Sequence, residues 1–152
     1  MIKLIVAVDN KNGIASEGKI PWHCPEDLKH FRKKTRGKTL VVGRKTYETL
    51  PKLPGRKLII MSRTMTDSEW PICRNVEQVI DNTDNDELYI IGGAQIYRQF
   101  LDSGRVDKVI LSRIPGDFEC DQVFPKLSWK KWTRIKIKKM KTFQIETWTQ
   151  KL

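Results

Sequence analysis

Hydrophobic and polar positions along the chain predict short strands that alternate with helices. Short apolar runs rich in β-branched residues are typical of buried strands. These strands cover residues 2–8, 38–43, 57–62, 87–91 and 105–112, with a shorter strand at residues 72–74. The predicted helices cover residues 25–35, 44–50, 76–81 and 94–101. The alternation favours parallel strand pairs that are joined by crossover helices.

The end of the chain follows a different pattern, because two predicted strands come one after the other. They cover about residues 133–140 and 142–150 and are close enough to form a hairpin, which would add an antiparallel edge to the sheet. In the first of them Ile135, Ile137 and Met140 lie among basic residues. This pattern is typical of a half-buried strand with one solvated basic face.

Two connecting segments are predicted to be loops. Residues 9–18 carry the turn sequence Asp-Asn-Lys-Asn-Gly and lead into the stretch around Trp22. The glycines in this loop suit a lid that moves, although a plain surface connection explains the composition as well. Residues 115–125 form a second loop, which is acidic.

The length and the charge of the chain limit the classes of function. Its 152 residues predict one domain over residues 1–152. The formal net charge of +11 favours an anionic partner, which could be nucleic acid, a membrane surface or a phosphorylated small molecule. A nucleic-acid-binding module is an alternative because the chain is basic and has five tryptophans. Against it, the tryptophans are scattered along the chain and no recognised nucleic-acid motif is present.

The cysteines and the apolar runs predict a reduced, cytoplasmic setting. Cys24, Cys73 and Cys120 are odd in number and widely spaced, and the chain has two histidines, so neither a disulfide framework nor a metal site is predicted. The apolar run at the N-terminus is too short for a signal peptide, and no run approaches the ~20 residues of a membrane span. We therefore expect a soluble protein.

Asp27 is the candidate acid of the sequence. It lies among the apolar residues Ile20, Trp22, Leu28 and Phe31, and a helix would place it on the same face as Phe31. An acid on an apolar wall has its charged form disfavoured, so its pKa should rise toward the range that a general acid needs. The alternative is an ordinary acidic residue in the first turn of a helix, where the macrodipole favours it.

Two strand-to-helix junctions carry glycine and predict anion sites. They are Val42-Gly43-Arg44-Lys45-Thr46 and Ile91-Gly92-Gly93-Ala94-Gln95. Free N–H groups at a helix start attract a phosphate, and glycine lets it come close. Neither junction is a P-loop or a G-x-G-x-x-G motif, so tight turns remain an alternative interpretation. A third strand end, Ser62-Arg63-Thr64, could add a cation at the same edge of the sheet.

Eight motifs in order resemble those of the dihydrofolate reductase family over essentially the whole chain. They are Leu4-Ile5-Val6-Ala7-Val8; Gly13-Ile14 with Ile20-Pro21-Trp22; Asp27-Leu28-Lys29-His30-Phe31; Val42-Gly43-Arg44-Lys45-Thr46-Tyr47-Glu48; Leu53-Pro54-Gly55-Arg56; Ile60-Met61-Ser62-Arg63; Ile91-Gly92-Gly93 with Ile96-Tyr97; and Glu119-Cys120-Asp121 with Phe124-Pro125. Each motif alone is weak, but their order and spacing together are specific.

The resemblance implies a fold and a reaction. The fold is a three-layer α/β arrangement, in which about four helices flank a mixed eight-stranded sheet that is mostly parallel with an antiparallel C-terminal strand. In the reaction NADPH gives a hydride to C6 of 7,8-dihydrofolate while N5 takes a proton, and the tetrahydrofolate formed supports one-carbon metabolism and thymidylate synthesis. The implied partners are dihydrofolate and folate analogues, with no nucleic acid and no membrane, and the implied state is a monomer.

The resemblance also implies the residues of the site. Asp27 matches the family's single active-site carboxylate, Ser112 stands where the family usually has threonine, and Trp22 completes the catalytic set. The implied substrate contacts are Ile5, Val6, Asp27, Leu28, Phe31, Leu50, Leu53, Arg56, Ile91 and Ser112. The implied cofactor contacts are Ala7, Ile14, Ile20, Gly43, Arg44, Lys45, Thr46, Met61, Ser62, Arg63, Ile91, Gly92, Gly93, Ala94, Gln95, Ile96 and Tyr97, with the Gly92–Gly93 bond in the cis form.

The basic residues of the matched motifs sharpen the implied chemistry. Arg56 matches the arginine that binds the α-carboxylate of the folate glutamate, which argues against other pteridine or pyrimidine reductases of the same fold, such as those of riboflavin synthesis. Arg44 and Arg63 are the candidates for the 2′-phosphate that distinguishes NADPH from NADH.

Several positions depart from the family pattern. His23 replaces the usual asparagine or proline after Trp22 and is expected to be an exposed lid residue. Gln122 stands where threonine often occurs, which puts in doubt the hydrogen bond that steadies this loop against the lid. Cys24 and Cys120 lie near the site without an evident redox partner.

Overall fold

The computed structural model describes residues 1–83 and 87–151, which form ten strands and four helices. The strands are β1 (Ile2–Val8), β2 (Gly13–Ala15), β3 (Thr39–Gly43), β4 (Lys57–Met61), β5 (Ile72–Cys73), β6 (Leu88–Gly92), β7 (Lys108–Arg113), β8 (Gln122–Val123), β9 (Trp132–Lys139) and β10 (Gln144–Gln150). The helices are α1 (Pro25–Thr35), α2 (Arg44–Thr49), α3 (Val76–Asp81) and α4 (Ala94–Asp102). Every predicted helix and strand is present, with shifts at the ends.

Eight of the strands form one twisted mixed sheet in the order β5-β4-β3-β6-β1-β7-β10-β9. β10 runs antiparallel to both of its neighbours, and the other strand pairs of this sheet are parallel. This arrangement confirms the predicted mixed sheet with an antiparallel C-terminal strand. The helices lie on the connections between parallel strands, as crossovers require.

The two faces of the sheet carry separate hydrophobic clusters because successive side chains of a strand point to opposite faces. Leu4 of β1 lies in one cluster with Phe100 of α4. Ile5, its neighbour, lies in the other with Phe31 of α1. The alternation of apolar residues along the strands therefore accounts for a hydrophobic cluster on each face of the sheet. No helix in residues 1–83 or 87–151 combines the length and the apolar character needed to span a membrane.

The sequence predicts that residues 9–18 and 115–125 are loops, and this prediction is only partly correct. They contain β2 and β8, which pair with each other in an antiparallel way. β2 has three residues and β8 has two, so neither is long enough to produce a recognisable alternation. The prediction that residues 105–107 belong to a strand is also wrong, because β7 begins only at Lys108. Asp107 instead uses its side chain, whose carboxylate accepts a hydrogen bond from the Ile2 backbone N–H at 2.8 Å.

β9 lies at one edge of the sheet, and the prediction of half-buried apolar residues there is wrong for Ile135 and Ile137 but correct for Met140, which packs against the cluster on the α1 face of the sheet. Ile135 is 54% exposed and Ile137 is 44% exposed, whereas Trp132 is the buried residue of this strand. The register shifts opposite Thr147 and Trp148, which leaves Ile135 without a partner on β10. β9 therefore presents both of its faces to solvent beyond Trp132.

Asp9 is a buried carboxylate that joins the two loops containing β2 and β8. Its Oδ1 accepts hydrogen bonds from the backbone N–H groups of Lys11 at 2.9 Å and Gly13 at 2.8 Å. Its Oδ2 accepts one from Phe118 at 3.0 Å, and the Cys120 thiol lies 3.7 Å away. Burial acts to raise the pKa of Asp9, but these hydrogen bonds outweigh it and hold the pKa below its usual value.

We expect Asp9→Asn to lower the free energy of unfolding by about 2 kcal/mol or more at neutral pH, because an amide N–H₂ would face the donor N–H of Phe118 or of Gly13. A carboxyl with a lowered pKa stabilises the fold above its unfolded pKa of about 3.9, and this contribution disappears as the pH falls through the folded pKa. Urea unfolding of both proteins from neutral pH to pH 3 measures this. The difference should shrink below about pH 4. A constant difference would contradict the assigned role of the charge.

Candidate active site

The carboxyl ends of the parallel strands bring the candidate site residues to one edge of the sheet. In the register of the sheet Ala7 of β1 lies beside Ser112 of β7. On the other side Gly43 of β3 lies beside Met61 of β4. Ligands of open α/β sheets bind beyond this edge, so two candidate regions lie next to each other there.

Asp27 lies in the first turn of α1, which begins with proline at its first helical position. Burial raises the pKa of the Asp27 carboxyl above its ordinary value, and the Ser112 hydroxyl, as a hydrogen-bonding neighbour, acts in the opposite direction. Ser112 itself is buried at the end of β7. The expected rise of the Asp27 pKa is therefore confirmed in direction, and its cause is the removal of the carboxylate from water.

Tyr97 of α4 is a buried tyrosine that hydrogen-bonds to the backbone of β1. Its hydroxyl donates a hydrogen bond of 2.8 Å to the backbone carbonyl of Ile5. Burial raises the pKa of Tyr97, and the negative charge of Asp27 raises it further. Asp27 and Tyr97 therefore act on each other electrostatically although they lie on helices of opposite faces of the sheet.

The apolar residues around Asp27 belong to the cluster on the α1 face of the sheet. Its half-buried members include Ala7, Trp22, Phe31, Leu53, Ile91 and Phe118. Trp22 and Phe118 pack with ring centroids 5.4 Å apart, so the loop after β7 closes one side of this wall. Phe118 was not predicted, because a single aromatic residue in an acidic loop carries no pattern. Ile20 and Leu28 are exposed, and Leu50 is half-buried at the end of α2.

Val6 and several cofactor candidates lie in the other hydrophobic cluster. Val6 alternates with Ile5 along β1, so its side chain points to the α4 face of the sheet, away from Phe31. The cofactor candidates on that face are Ile14, Met61, Ala94, Ile96 and Tyr97. The structure therefore divides the predicted contacts into a set on the α1 face and a set on the α4 face.

Arg56 is held in a fixed orientation by the C-terminal end of α1. Its Nη2 donates a 2.7 Å hydrogen bond to the carbonyl of Arg32, and its Nη1 donates one of the same length to the carbonyl of Pro54. Its Nε lies 3.3 Å from the Thr35 hydroxyl. These bonds leave other N–H groups of the guanidinium available, so the side chain is oriented in advance to bind a carboxylate.

The two glycine junctions face each other where β3 and β6 end. A Cβ on Gly43 would lie 2.8 Å from a carbon of Ile96. A Cβ on Gly93 would lie 2.9 Å from the hydroxyl of Thr46. The Gly92–Gly93 bond is cis, as the family resemblance implies. The N-termini of α2 and α4 are therefore brought together, and only glycine allows this close approach.

The turn after β4 presents Arg63 to solvent. The Ser62 hydroxyl accepts a hydrogen bond from the Met65 backbone N–H at 3.0 Å. Arg74 fixes the same turn by donating to the carbonyls of Ser62 at 2.9 Å and Met65 at 2.6 Å. Arg74 is a supporting residue that the sequence did not reveal, because its position relative to the turn depends on the pairing of β4 with β5.

The exposed cations of α2 complete the predicted anion region. Arg44 pairs with Glu48 one turn later, with 2.9 Å between Nε and Oε1. Lys45 is exposed, as is Gln95 at the start of α4. An exposed ion pair of this kind contributes little to the stability of the fold, so Arg44 can leave Glu48 and bind a phosphate with little loss of stability.

Glu26 is a second supporting residue that the sequence did not reveal. Its carboxylate accepts hydrogen bonds from the Thr142 backbone N–H at 2.8 Å, the Thr142 hydroxyl at 2.7 Å and the Lys141 N–H at 3.2 Å. These hydrogen bonds, led by that of the Thr142 hydroxyl, lower the pKa of Glu26. The first turn of α1, which carries Asp27, is thereby fixed to the turn between β9 and β10.

The loop that precedes α1 is tied to the loop after β7. The Glu17 backbone N–H donates to the Asp121 carboxylate at 3.0 Å, and the Asp121 N–H donates to the carbonyl of Ala15 at 3.0 Å. Gln122 pairs with Ala15 in the small sheet. The two loops are therefore joined through Asp121 even though threonine is replaced at position 122.

The other positions that depart from the family pattern are His23 and the cysteines. His23 is exposed, as expected. The three cysteines are free, and Cys24 is buried with its Sγ 3.5 Å from the Thr142 hydroxyl. Burial, followed by the charge of Asp9, raises the pKa of the Cys120 thiol, so this thiol stays protonated at neutral pH.

Comparison with known proteins places this arrangement in a family. The family model described as dihydrofolate reductase matches residues 1–150. The chain is 37% identical over 132 residues to a dihydrofolate reductase of Haemophilus influenzae, a match that covers 85% of this chain and 81% of the relative. It is 35% identical over 140 residues to the Bacillus subtilis enzyme, covering 89% of this chain and 82% of that one.

A solved structure agrees with these relatives in three dimensions. It is a dihydrofolate reductase from Enterococcus faecalis complexed with NADP(H) and RAB-propyl, and it superimposes with a TM-score of 0.88 at 28% identity. The match covers 100% of this chain and 97% of the other. Because the sequence match extends over nearly the whole chain and the fold agrees, the protein belongs to the dihydrofolate reductase family.

Proposed function

We propose that this protein reduces 7,8-dihydrofolate to 5,6,7,8-tetrahydrofolate with NADPH at the sheet edge beside Asp27. The observation that carries the proposal is a carboxyl group with a raised pKa, next to the buried Ser112 hydroxyl, at the edge where two glycine junctions also meet. Such an acid next to an anion-binding region suits a reductase whose substrate must gain both a hydride and a proton.

The residues at the glycine junctions fit a dinucleotide. Gly43 and Gly93 let the starts of α2 and α4 approach each other, because a Cβ at either position would collide with Ile96 or Thr46. The free N–H groups of these two helix starts would then bind the pyrophosphate at one edge of the sheet. Arg44 and Arg63 would bind the 2′-phosphate, which NADH lacks. When bound, NADPH supplies the hydride; the chain supplies the alignment and the electrostatic environment.

The substrate side is built around Asp27. Its carboxylate would hold the 2-amino group and N3 of the pterin, with Ser112 as a hydrogen-bonding partner. Phe31, Leu50 and Leu53 would form the apolar walls on either side of the ring. In this setting Asp27 fixes the pterin and favours protonation at N5 through water, because a partly desolvated carboxylate attracts a proton to its vicinity.

Arg56 favours a folate over other pteridines or pyrimidines. Its guanidinium is fixed against the end of α1. Its remaining N–H groups can donate hydrogen bonds to a carboxylate, which a glutamate-bearing substrate provides. The NADP(H) named with the Enterococcus faecalis enzyme supports the cofactor assignment. We further propose that residues 1–152 act as one domain and that the protein works as a cytoplasmic monomer.

We expect Asp27→Asn to reduce turnover by about 100-fold or more at neutral pH, because the amide neither carries the charge nor attracts the proton. The pH profile of the wild type, in which the rate falls as the pH rises through the pKa of the site, should disappear in the variant. Absorbance at 340 nm with NADPH and dihydrofolate follows the reaction. Full activity of the variant would show that Asp27 has no catalytic role.

Thermal unfolding of Asp27→Asn provides the control for this variant. An acid whose folded pKa is raised destabilises the fold once the pH exceeds its unfolded pKa, so removal of the charge should raise the melting temperature at neutral pH. Loss of activity together with unchanged or increased stability separates catalysis from folding.

We expect Arg56→Lys to raise KM for dihydrofolate by about 10-fold or more with little change in kcat, because lysine cannot form the two parallel bonds to a carboxylate. A dihydropterin substrate without the glutamate tail should be reduced equally well by both proteins. Equal losses for the two substrates would contradict a role of Arg56 in tail binding.

We expect Arg44→Ala and Arg63→Ala each to raise KM for NADPH by about 10-fold while KM for NADH stays the same, because only NADPH has the additional phosphate. Arg98→Ala, which removes an exposed arginine from the middle of α4, is the matched control. Parallel changes for both dinucleotides would assign the two arginines to general electrostatic attraction instead.

A further inference from the structure

The outer strand of the C-terminal hairpin, β9, contributes none of the candidate site residues, although the turn that follows it holds Glu26. Residues 130–141 contain seven lysines and arginines and no acidic residue. Most of them lie on β9, whose residues are all exposed after Trp132. Lysines on an edge strand prevent edge-to-edge pairing, which is the simplest purpose of such charges. A dense row of cations along an open edge suits a linear polyanion.

The fold gathers tryptophans that the sequence keeps apart. Trp132 and Trp148 are buried in one cluster beneath the hairpin. Trp129 packs on Trp148 with ring centroids 4.8 Å apart, yet 55% of it remains exposed. The Arg134 guanidinium lies 5.7 Å from the centroid of each of these two rings. The sequence-based objection that the tryptophans are scattered therefore does not apply to this end of the sheet.

Trp129 and Arg134 form a shared exposed platform. Trp129 packs at a tilt of 44° against Trp148, and Arg134 lies 3.7 Å from the buried Glu146 carboxylate, which also accepts a hydrogen bond from the Trp148 indole N–H at 3.2 Å. Aromatic rings and guanidinium planes that are exposed are the surfaces on which unpaired bases stack.

The cations on the opposite face of β9 extend the same edge. Lys136 and Lys138 pair with Thr147 and Ile145 of β10, so they point to the α1 side of the sheet. Burial, and then the charges of Lys34 of α1 and Lys138 of β9, lower the pKa of His30 to about 4. The second half of α1 thus adds its positive charge to that of β9.

We propose that the edge formed by Trp129, Arg134, Lys136 and Lys138 binds single-stranded nucleic acid. The bases would stack on the Trp129–Arg134 platform while the lysines bind the phosphates along β9. The cations of β9 extend from Arg134 to Lys139, and at about 3.3 Å per residue these six residues offer a row about 20 Å long, which fits a chain of phosphates better than a flat membrane surface.

Fluorescence anisotropy of a fluorescein-labelled oligothymidylate of about 20 nucleotides tests this with the full chain at low salt. We expect the wild type to bind and added salt to weaken the binding steeply. Lys136→Glu/Lys138→Glu should weaken it by about 10-fold or more. Trp129→Ala should weaken it by about 10-fold and should remove the quenching of tryptophan fluorescence by the oligonucleotide.

The matched control is Lys57→Glu/Arg98→Glu, which changes the net charge equally with exposed residues of β4 and α4. β4 lies near the opposite edge of the sheet from β9. The control should bind like the wild type, and all variants should keep the wild-type rate of dihydrofolate reduction, which also shows that they fold.

Several outcomes would overturn the proposal. The first is that the wild type does not bind the oligonucleotide at low salt, whether it binds phosphatidylglycerol vesicles instead or forms a dimer through the β9 edge. The second is that the control variant weakens oligonucleotide binding as much as Lys136→Glu/Lys138→Glu does, which would mean that binding depends only on net charge. Unchanged affinity of Trp129→Ala would overturn the stacking and with it the preference for single strands.

Discussion

The in-register parallel pairing of the central strands is the constraint on which the site depends. β1 pairs with β6 on one side and with β7 on the other, and β3 pairs with β4 and β6. Because all of these strands run in the same direction, every one of them ends at the same edge. A slip of one residue would turn each side chain to the opposite face, so the buried apolar residues on both faces fix the register and, with it, the position of Ser112 beside Ala7.

Three buried or half-buried carboxylates show how the same fold tunes one chemical group for different purposes. Asp9 receives enough backbone N–H groups that its charge is stabilised despite burial. Glu146 is buried against Arg113 at 3.2 Å and the Trp148 indole, so its charge is paired. Among the described residues, Ser112 is the hydrogen-bonding neighbour of Asp27, and burial outweighs it so that the pKa of Asp27 rises. The two compensated carboxylates serve structure, and the undercompensated one is suited to chemistry.

Arg113 links these structural carboxylates to the site. It binds Glu146, and its Nη1 also donates to the carbonyl of Asp9 at 3.0 Å and to the Asn12 side chain. The residue before it on β7 is Ser112, which faces Asp27. The hairpin that holds Glu146 also fixes the start of α1 through Glu26. The C-terminal hairpin therefore supports both sides of the substrate region, while its outer edge remains open to solvent.

The sequence by itself determined the order and type of the main elements, the acid at position 27 and the two glycine junctions. These features follow from local periods and from residue types whose chemistry does not depend on distant neighbours. Only the tertiary structure decided that β2 and β8 pair, that Asp9 and Glu26 join separate loops, that Ile135 and Ile137 face water, and that Trp129 packs against Trp148. The physical reason is that each of these depends on contacts between residues far apart in the chain, which leave no periodic signal in the sequence.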